Sequence, residues 1–109
     1  MRVCLDLDGT ICYNKQINQK YEDVLPIEGA VEKIRQWKKD GHEIIIYTAR
    51  NMATCNNSLG KIIKNQSSII TDWLNYYGIP FDELWFGKPL ADIYIDDKAL
   101  KFENWNINL

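Results

Sequence analysis

An α/β fold, an open and mostly parallel sheet with flanking helices, is what this sequence predicts, and three observations predict it. Short apolar runs of strand length alternate with segments of helical periodicity. A glycine follows each helical segment, and Asp, Thr, Lys and Arg residues fall just past the strand-like runs. The first strand is expected over Arg2 to Leu7, carrying Val3 and Leu5 and running straight into the turn formers Asp8-Gly9-Thr10. Residues 11–25 are polar and without periodicity, which fits a loop or small flap. Pro26 is expected to open a helix in which Ile27, Ala30, Val31, Ile34 and Trp37 share one face while Glu32, Lys33, Arg35 and Lys38 face out. Asp40-Gly41 ends it.

His42 to Tyr47 is β-branched and aromatic, too short for a helix and too continuously apolar for a half-exposed strand. It predicts a central parallel strand. The polar stretch from Thr48 to about Asn65 reads as a loop, and a second helix is expected from about Ser67 to Tyr77, burying Ile69, Ile70, Trp73, Leu74 and Tyr77 and stopped by Gly78. Glu83 to Phe86 and Ile93 to Ile95 are two further short strands, separated by a turn at Gly87-Lys88-Pro89.

A length of 109 residues is one domain's worth, and 46% hydrophobic with 26% charged residues is ordinary globular composition. The formal net charge of -2 argues against a nucleic-acid partner held by phosphate neutralisation, though small anions remain open. Ile44 to Tyr47, the longest apolar stretch, is too short to span a bilayer, and the N-terminus lacks the apolar core of a signal peptide. A soluble cytoplasmic protein is the expectation. Cys4, Cys12 and Cys55 follow no metal-ligand spacing and read as reduced thiols, with Cys4 in the core. A nucleophilic cysteine is the weaker reading, because the single histidine, His42, sits in the turn-like Asp40-Gly41-His42. Trp37, Trp73, Trp85 and Trp105 are expected in the core or an interface.

Ligands of open α/β sheets bind at the carboxyl ends of the strands. There the sequence places Asp6, Asp8, Gly9 and Thr10 after the first strand, Thr48 and Arg50 after the second, Lys88 after the third, and Asp96 and Asp97 after the fourth. Four carboxylates at one sheet edge repel one another unless a cation or proton relieves them. Oxygen-only ligands suit a hard divalent cation, Mg²⁺ in particular, which takes one or two carboxylates together with a substrate phosphate. Lys88 and Arg50 add positive charge, the Thr10 and Thr48 hydroxyls add neutral donors, and Gly9 lets the following N–H groups turn toward the same point. The set describes a phosphate site. One of Asp6 and Asp8 can be metal-bound and nucleophilic while the other keeps a proton for a leaving group. Arg50 fits either a second anionic group of the substrate or a surface acid, and Lys61 could reach substrate from a specificity loop over 51–61, against the blander reading of a solvated lysine on a surface connection.

Asp6-Leu7-Asp8-Gly9-Thr10, Thr48, Lys88-Pro89 and Ile93-Tyr94-Ile95-Asp96-Asp97 resemble, in order, the four signature motifs of the haloacid dehalogenase (HAD) superfamily of phosphotransferases. Tyr47-Thr48-Ala49-Arg50-Asn51-Met52, Gly60-Lys61-Ile62 and Gly87-Lys88-Pro89 are similar to a narrower group of small HAD proteins of capsule and lipopolysaccharide biosynthesis. The resemblance implies a Rossmann-like fold and a Mg²⁺-dependent phosphatase in which Asp6 forms a phosphoaspartate. Asp8 would protonate the leaving oxygen, and Thr48 and Lys88 would hold the phosphoryl oxygens. Asp6, the backbone carbonyl of Asp8 and Asp96 would ligate the metal, with Asp97 acting beside them through bound water.

The intervals at residues 11–25 and 49–87 leave no room for the cap domain many HAD enzymes use, so the site should be open unless a neighbouring subunit covers it. That expectation carries a homo-oligomer, a small-molecule phosphoester substrate such as a sugar phosphate, and no membrane partner. A mononucleotide or nucleic-acid-end phosphatase is the enzymatic alternative, and a non-catalytic phosphate-binding protein the alternative from another class.

Overall fold

The computed structural model describes residues 1–109. Three parallel strands, β1 (Arg2–Leu5), β2 (Glu43–Thr48) and β3 (Glu83–Phe86), pair in sequence order with β2 in the middle. Val3 lies beside Ile44 and Leu5 beside Ile46; Ile46 lies beside Leu84 and Thr48 beside Phe86. Helix α1 (Ala30–Lys39) joins β1 to β2, and α2 (Leu59–Tyr76) joins β2 to β3. No helix is long and apolar enough to cross a membrane.

Alternation along the strands sends Leu5, Ile44 and Ile46 to one face, where they share a core with Ile34 and Trp37 of α1 and Ile70, Trp73 and Leu74 of α2. The opposite face leaves Cys4 and Trp85 exposed, which corrects the expectation of a core thiol at Cys4 and sets Trp85 outside the core of the single chain. Trp37 and Trp105 pack at 5.6 Å between ring centroids, and the Trp105 indole donates to the Thr10 carbonyl at 2.7 Å. The C-terminal tail is thereby fixed to the turn that follows β1.

Both helices begin at other residues than the sequence predicts. Pro26 is bridged to Cys12, the Ile27 amide donates to the Ile11 carbonyl, and Gly29 at φ 89° turns the chain into α1, so this helix starts four residues later than expected. Helix α2 starts much earlier than Ser67. Its buried residues Ile62, Gln66, Ile70, Trp73 and Leu74 recur at helical spacing, while exposed Lys61, Lys64 and Asn65 make its first turns look like loop. Asn51, Asn56 and Asn57, all at positive φ, form the turns between β2 and α2.

The expected fourth strand is absent. Ile93 and Ile95 are 73% and 92% exposed, and the chain from Pro89 to Lys101 lies outside the sheet. Phe102 and Trp105 bring it back to the core.

Candidate active site

β1, β2 and β3 all end on the same side of the sheet, and the residues just past them line a cavity of about 360 Å³ whose walls include Asp6, Asp8, Tyr21, Arg50, Lys88 and Tyr94. Asp6 follows β1 directly, with its side chain 36% exposed and one carboxylate oxygen 3.7 Å from the Lys88 ammonium. Partial burial pushes the Asp6 carboxyl above the usual carboxylate range, and Lys88 together with the Leu7 amide pulls back against that rise. Lys88 is held in turn: its amide donates to the Thr48 carbonyl at 3.1 Å, and its ammonium sits 4.4 Å from the Tyr94 ring centroid.

Two residues on, Asp8 is engaged differently. Arg50 Nη2 and Nε donate to its two oxygens at 2.7 and 3.0 Å, a two-point fork from a side chain only 3% exposed. Arg50 Nη1 donates to Gln66 Oε1 at 3.3 Å, and the Tyr21 ring lies 4.2 Å from the guanidinium carbon. The arginine is in the cavity wall, as the sequence places it, but its donors are committed to protein partners rather than free for a substrate anion. Thr48 Oγ1 accepts the Arg50 amide at 3.0 Å, which leaves the hydroxyl proton available to another acceptor.

Gly9 and Thr10 serve the turn. The Gly9 amide donates to the Cys12 carbonyl at 2.8 Å and the Thr10 amide to the Leu7 carbonyl at 3.2 Å, with Gly9 at φ 83°, so neither amide is free for a phosphate. Lys61 stands exposed on α2 and takes no part in the cavity wall. Asp96 and Asp97 are exposed on the arm beyond Pro89; the Lys98 amide donates to Asp96 at 2.8 Å and, with the Asp97 hydrogen bond, holds its carboxyl below the usual range. The cavity wall therefore gathers Asp6, Asp8, Arg50 and Lys88, with Thr48 buried behind it at 1% exposure, and leaves out Lys61, Asp96 and Asp97. Burial and the neighbouring Asp8 push the Cys12 thiol up to about 12, which keeps it protonated, and His42 precedes β2 at the other end of the sheet, 2.9 Å from the N-terminal ammonium.

Sequence reasoning passed over Tyr21, Gln66 and Asn14, which also borders the cavity. Gln66 had a signal: it is the one amide on the stripe Ile62-Gln66-Ile70, and a buried amide needs a partner. Tyr21 had none, since the flap shows no period.

The donor set also decides the metal question for a single chain. No three His, Cys, Asp or Glu side chains converge. Asp8 spends both oxygens on Arg50, so Asp6 is the one free carboxylate, too few for the oxygen shell of Mg²⁺ without Asp96 or Asp97. One chain in this arrangement does not fit the ion.

No protein-family model and no curated protein matches the chain. Among solved structures, a D,D-heptose 1,7-bisphosphate phosphatase from B. bronchiseptica, crystallised with magnesium and phosphate, superposes with a TM-score of 0.55 at 12% identity, covering 90% of this chain and 53% of that protein. This chain thus spans about half of that protein's length and shares its HAD-like α/β fold. A protein target from Vibrio cholerae superposes with a TM-score of 0.84 at 39% identity, covering 92% of this chain and 82% of that one. The chain belongs to the family of that Vibrio cholerae protein.

Proposed function

We propose that this protein is a phosphomonoester hydrolase working through a phosphoaspartate on Asp6, with a phosphorylated sugar or sugar-derived intermediate of surface-polysaccharide synthesis as its substrate. The observation that carries the reading is the pair formed by Asp6 and Lys88: a carboxylate open to the cavity with an ammonium 3.7 Å away, where a phosphate dianion needs both a nucleophile and a countercharge. The cavity of about 360 Å³ is of a size for a small metabolite. The fold shared with a sugar bisphosphate phosphatase supports the substrate class.

Lys88 and the free Thr48 hydroxyl proton hold the phosphoryl oxygens while an Asp6 oxygen attacks phosphorus in line with the leaving oxygen. The P–O bond to the sugar breaks, and the departing oxygen needs a proton. That proton, and the later activation of water on the phosphoaspartate, fall to Asp8. Because Arg50 occupies both Asp8 oxygens, substrate binding has to draw Asp8 away from that fork, and the freed carboxylate has to take up a proton from water, before it can protonate the leaving oxygen. A Mg²⁺ requirement would need a further carboxylate beside Asp6, which a single chain does not supply.

Inorganic phosphate release measured across sugar phosphates, nucleotides and small phosphoesters, with magnesium and with chelator, tests the reading. Turnover of a sugar phosphate that disappears in Asp6→Asn is expected. Silence on every ester, or an Asp6→Asn protein as active as the parent, overturns it.

A further inference from the structure

β1 is an edge strand, and its outer edge is bare. None of the backbone groups of Arg2–Leu5 finds a hydrogen-bond partner beyond β2, and the strand carries no proline or bulge. The same chain holds a strand-like segment without a strand to join: Ile93-Tyr94-Ile95, flanked by exposed Leu90 and Leu100. A folded monomer of 12.8 kDa is expected to expose about 6,300 Å². This chain exposes 7452 Å², an excess of about 1,200 Å², more than the roughly 800 Å² that each partner loses in a standard interface.

The segment cannot reach the edge of its own β1 in parallel. β3 ends at Phe86, level with Thr48, whereas a register that sets Asp96 beside Asp6 sets Ile93 beside Val3, level with Ile44. The chain would have to cross three strand spacings, about 14 Å, and travel about 13 Å back along the sheet. Lys88 is pinned beside Thr48 by its amide, so only residues 89–92 are free, and the five Cα steps from Lys88 to Ile93 span at most about 18 Å against a direct path of about 19 Å; parallel crossovers take about a dozen residues or more. An antiparallel return within one chain would carry Asp96 and Asp97 to the wrong end.

We propose that the segment Ile93–Asp97 of one copy adds in parallel to β1 of a second copy, reciprocally, about a two-fold axis. The register is consistent at every position. Ile93 and Ile95 fall beside Val3 and Leu5 on the core face, Tyr94 falls beside Cys4 on the open face, and the partner's Asp96 arrives beside Asp6. The carboxylate that a single chain lacks is then supplied by the neighbour, and Tyr94 leaves the Lys88 ammonium it now covers. The exchange itself stands on the sheet edge; its catalytic consequence rests on the phosphatase reading.

Cys4 is exposed on β1, so Tyr94→Cys places a thiol beside it wherever the strand docks. After diamide oxidation of dilute protein, the proposal expects a disulfide-linked dimer on a non-reducing gel that vanishes when Cys4→Ser is added. A Cys4-dependent internal disulfide in a monomer, or no Cys4-dependent bond at all, overturns it, as does a light-scattering mass of one chain for the unmodified protein. These readouts need no activity, so they report on the exchange even if no phosphoester is turned over. In an active protein, mixing unfolded Asp6→Asn with unfolded Asp96→Asn and refolding them together should recover about a quarter of parental turnover, because half the dimers are mixed and each holds one intact site. No recovery, in a mixture that still forms the mass of a dimer, removes Asp96 from the shared site.

Discussion

Asp6 and Asp8 are separated by one residue, yet the two sides of the cavity they define are built on opposite plans. On the Asp8 side a nearly buried arginine is clamped by a carboxylate, a buried amide and a tyrosine ring, and every donor has a protein partner. On the Asp6 side a partly exposed carboxylate faces a lysine across 3.7 Å, and the next residues lead into an exposed arm. The geometry of the first side is set by folding, and only the Asp8 carboxylate has to leave it for the proposed proton transfer. The second holds charge that folding leaves incompletely neutralised, and it is the side where a phosphate, a cation or a neighbouring chain has something to add.

The sharpest way to break this contrast is Asp6→Asn, which should cost about 10³-fold or more in phosphate release while leaving the melting temperature close to the parent's. Arg50→Met should do the reverse in kind. Removing one partner of a buried pair leaves Asp8 uncompensated, and about 3–5 kcal/mol of stability should be lost in urea unfolding. Arg50→Lys should not restore it, since an ammonium cannot make the two-point fork. Lys88→Met tests the open side. With the ammonium gone, nothing but the Leu7 amide opposes the rise of the Asp6 carboxyl, so the acid limb of the pH–rate profile should move to higher pH; an unmoved limb would separate Lys88 from the nucleophile. The smallest effect is expected far from the cavity. Asp82 accepts from Lys38 Nζ at 2.6 Å and from the Ile44 amide at 2.8 Å, which hold its carboxyl below the usual range. A depressed folded-state value contributes stability above the unfolded value that fades as pH falls through the folded one. Asp82→Asn should therefore lower the melting temperature slightly at neutral pH and converge with the parent in acid.

The sequence makes some of this legible and hides the rest for physical reasons. The centre of β2 reads correctly because a short apolar run reports a buried strand, and Glu83–Phe86 reads correctly although it is only partly covered. Ile93–Ile95 carries the same local pattern, but a strand is a relation between two segments, and its partner edge is out of reach within one chain. Cys4 misled because alternation assigns a face without saying whether anything covers it. Of the cavity wall, position just past a strand end brought out Asp6, Asp8, Arg50 and Lys88, whereas the commitment of Arg50 to Asp8 is supported by Gln66 and Tyr21, far away along the chain.

The indole of Trp105 bonded to the Thr10 carbonyl has a consequence for the order of assembly. Trp105 lies 95 residues beyond Thr10 along the chain, so synthesis delivers the turn that carries Asp6 and Asp8 well before the tryptophan that closes it, at a pace of about 5–20 residues per second. A nascent chain therefore carries Asp6 and Asp8 on a turn without its anchor, and a chain cut before Trp105 would keep that turn permanently in the unfinished state.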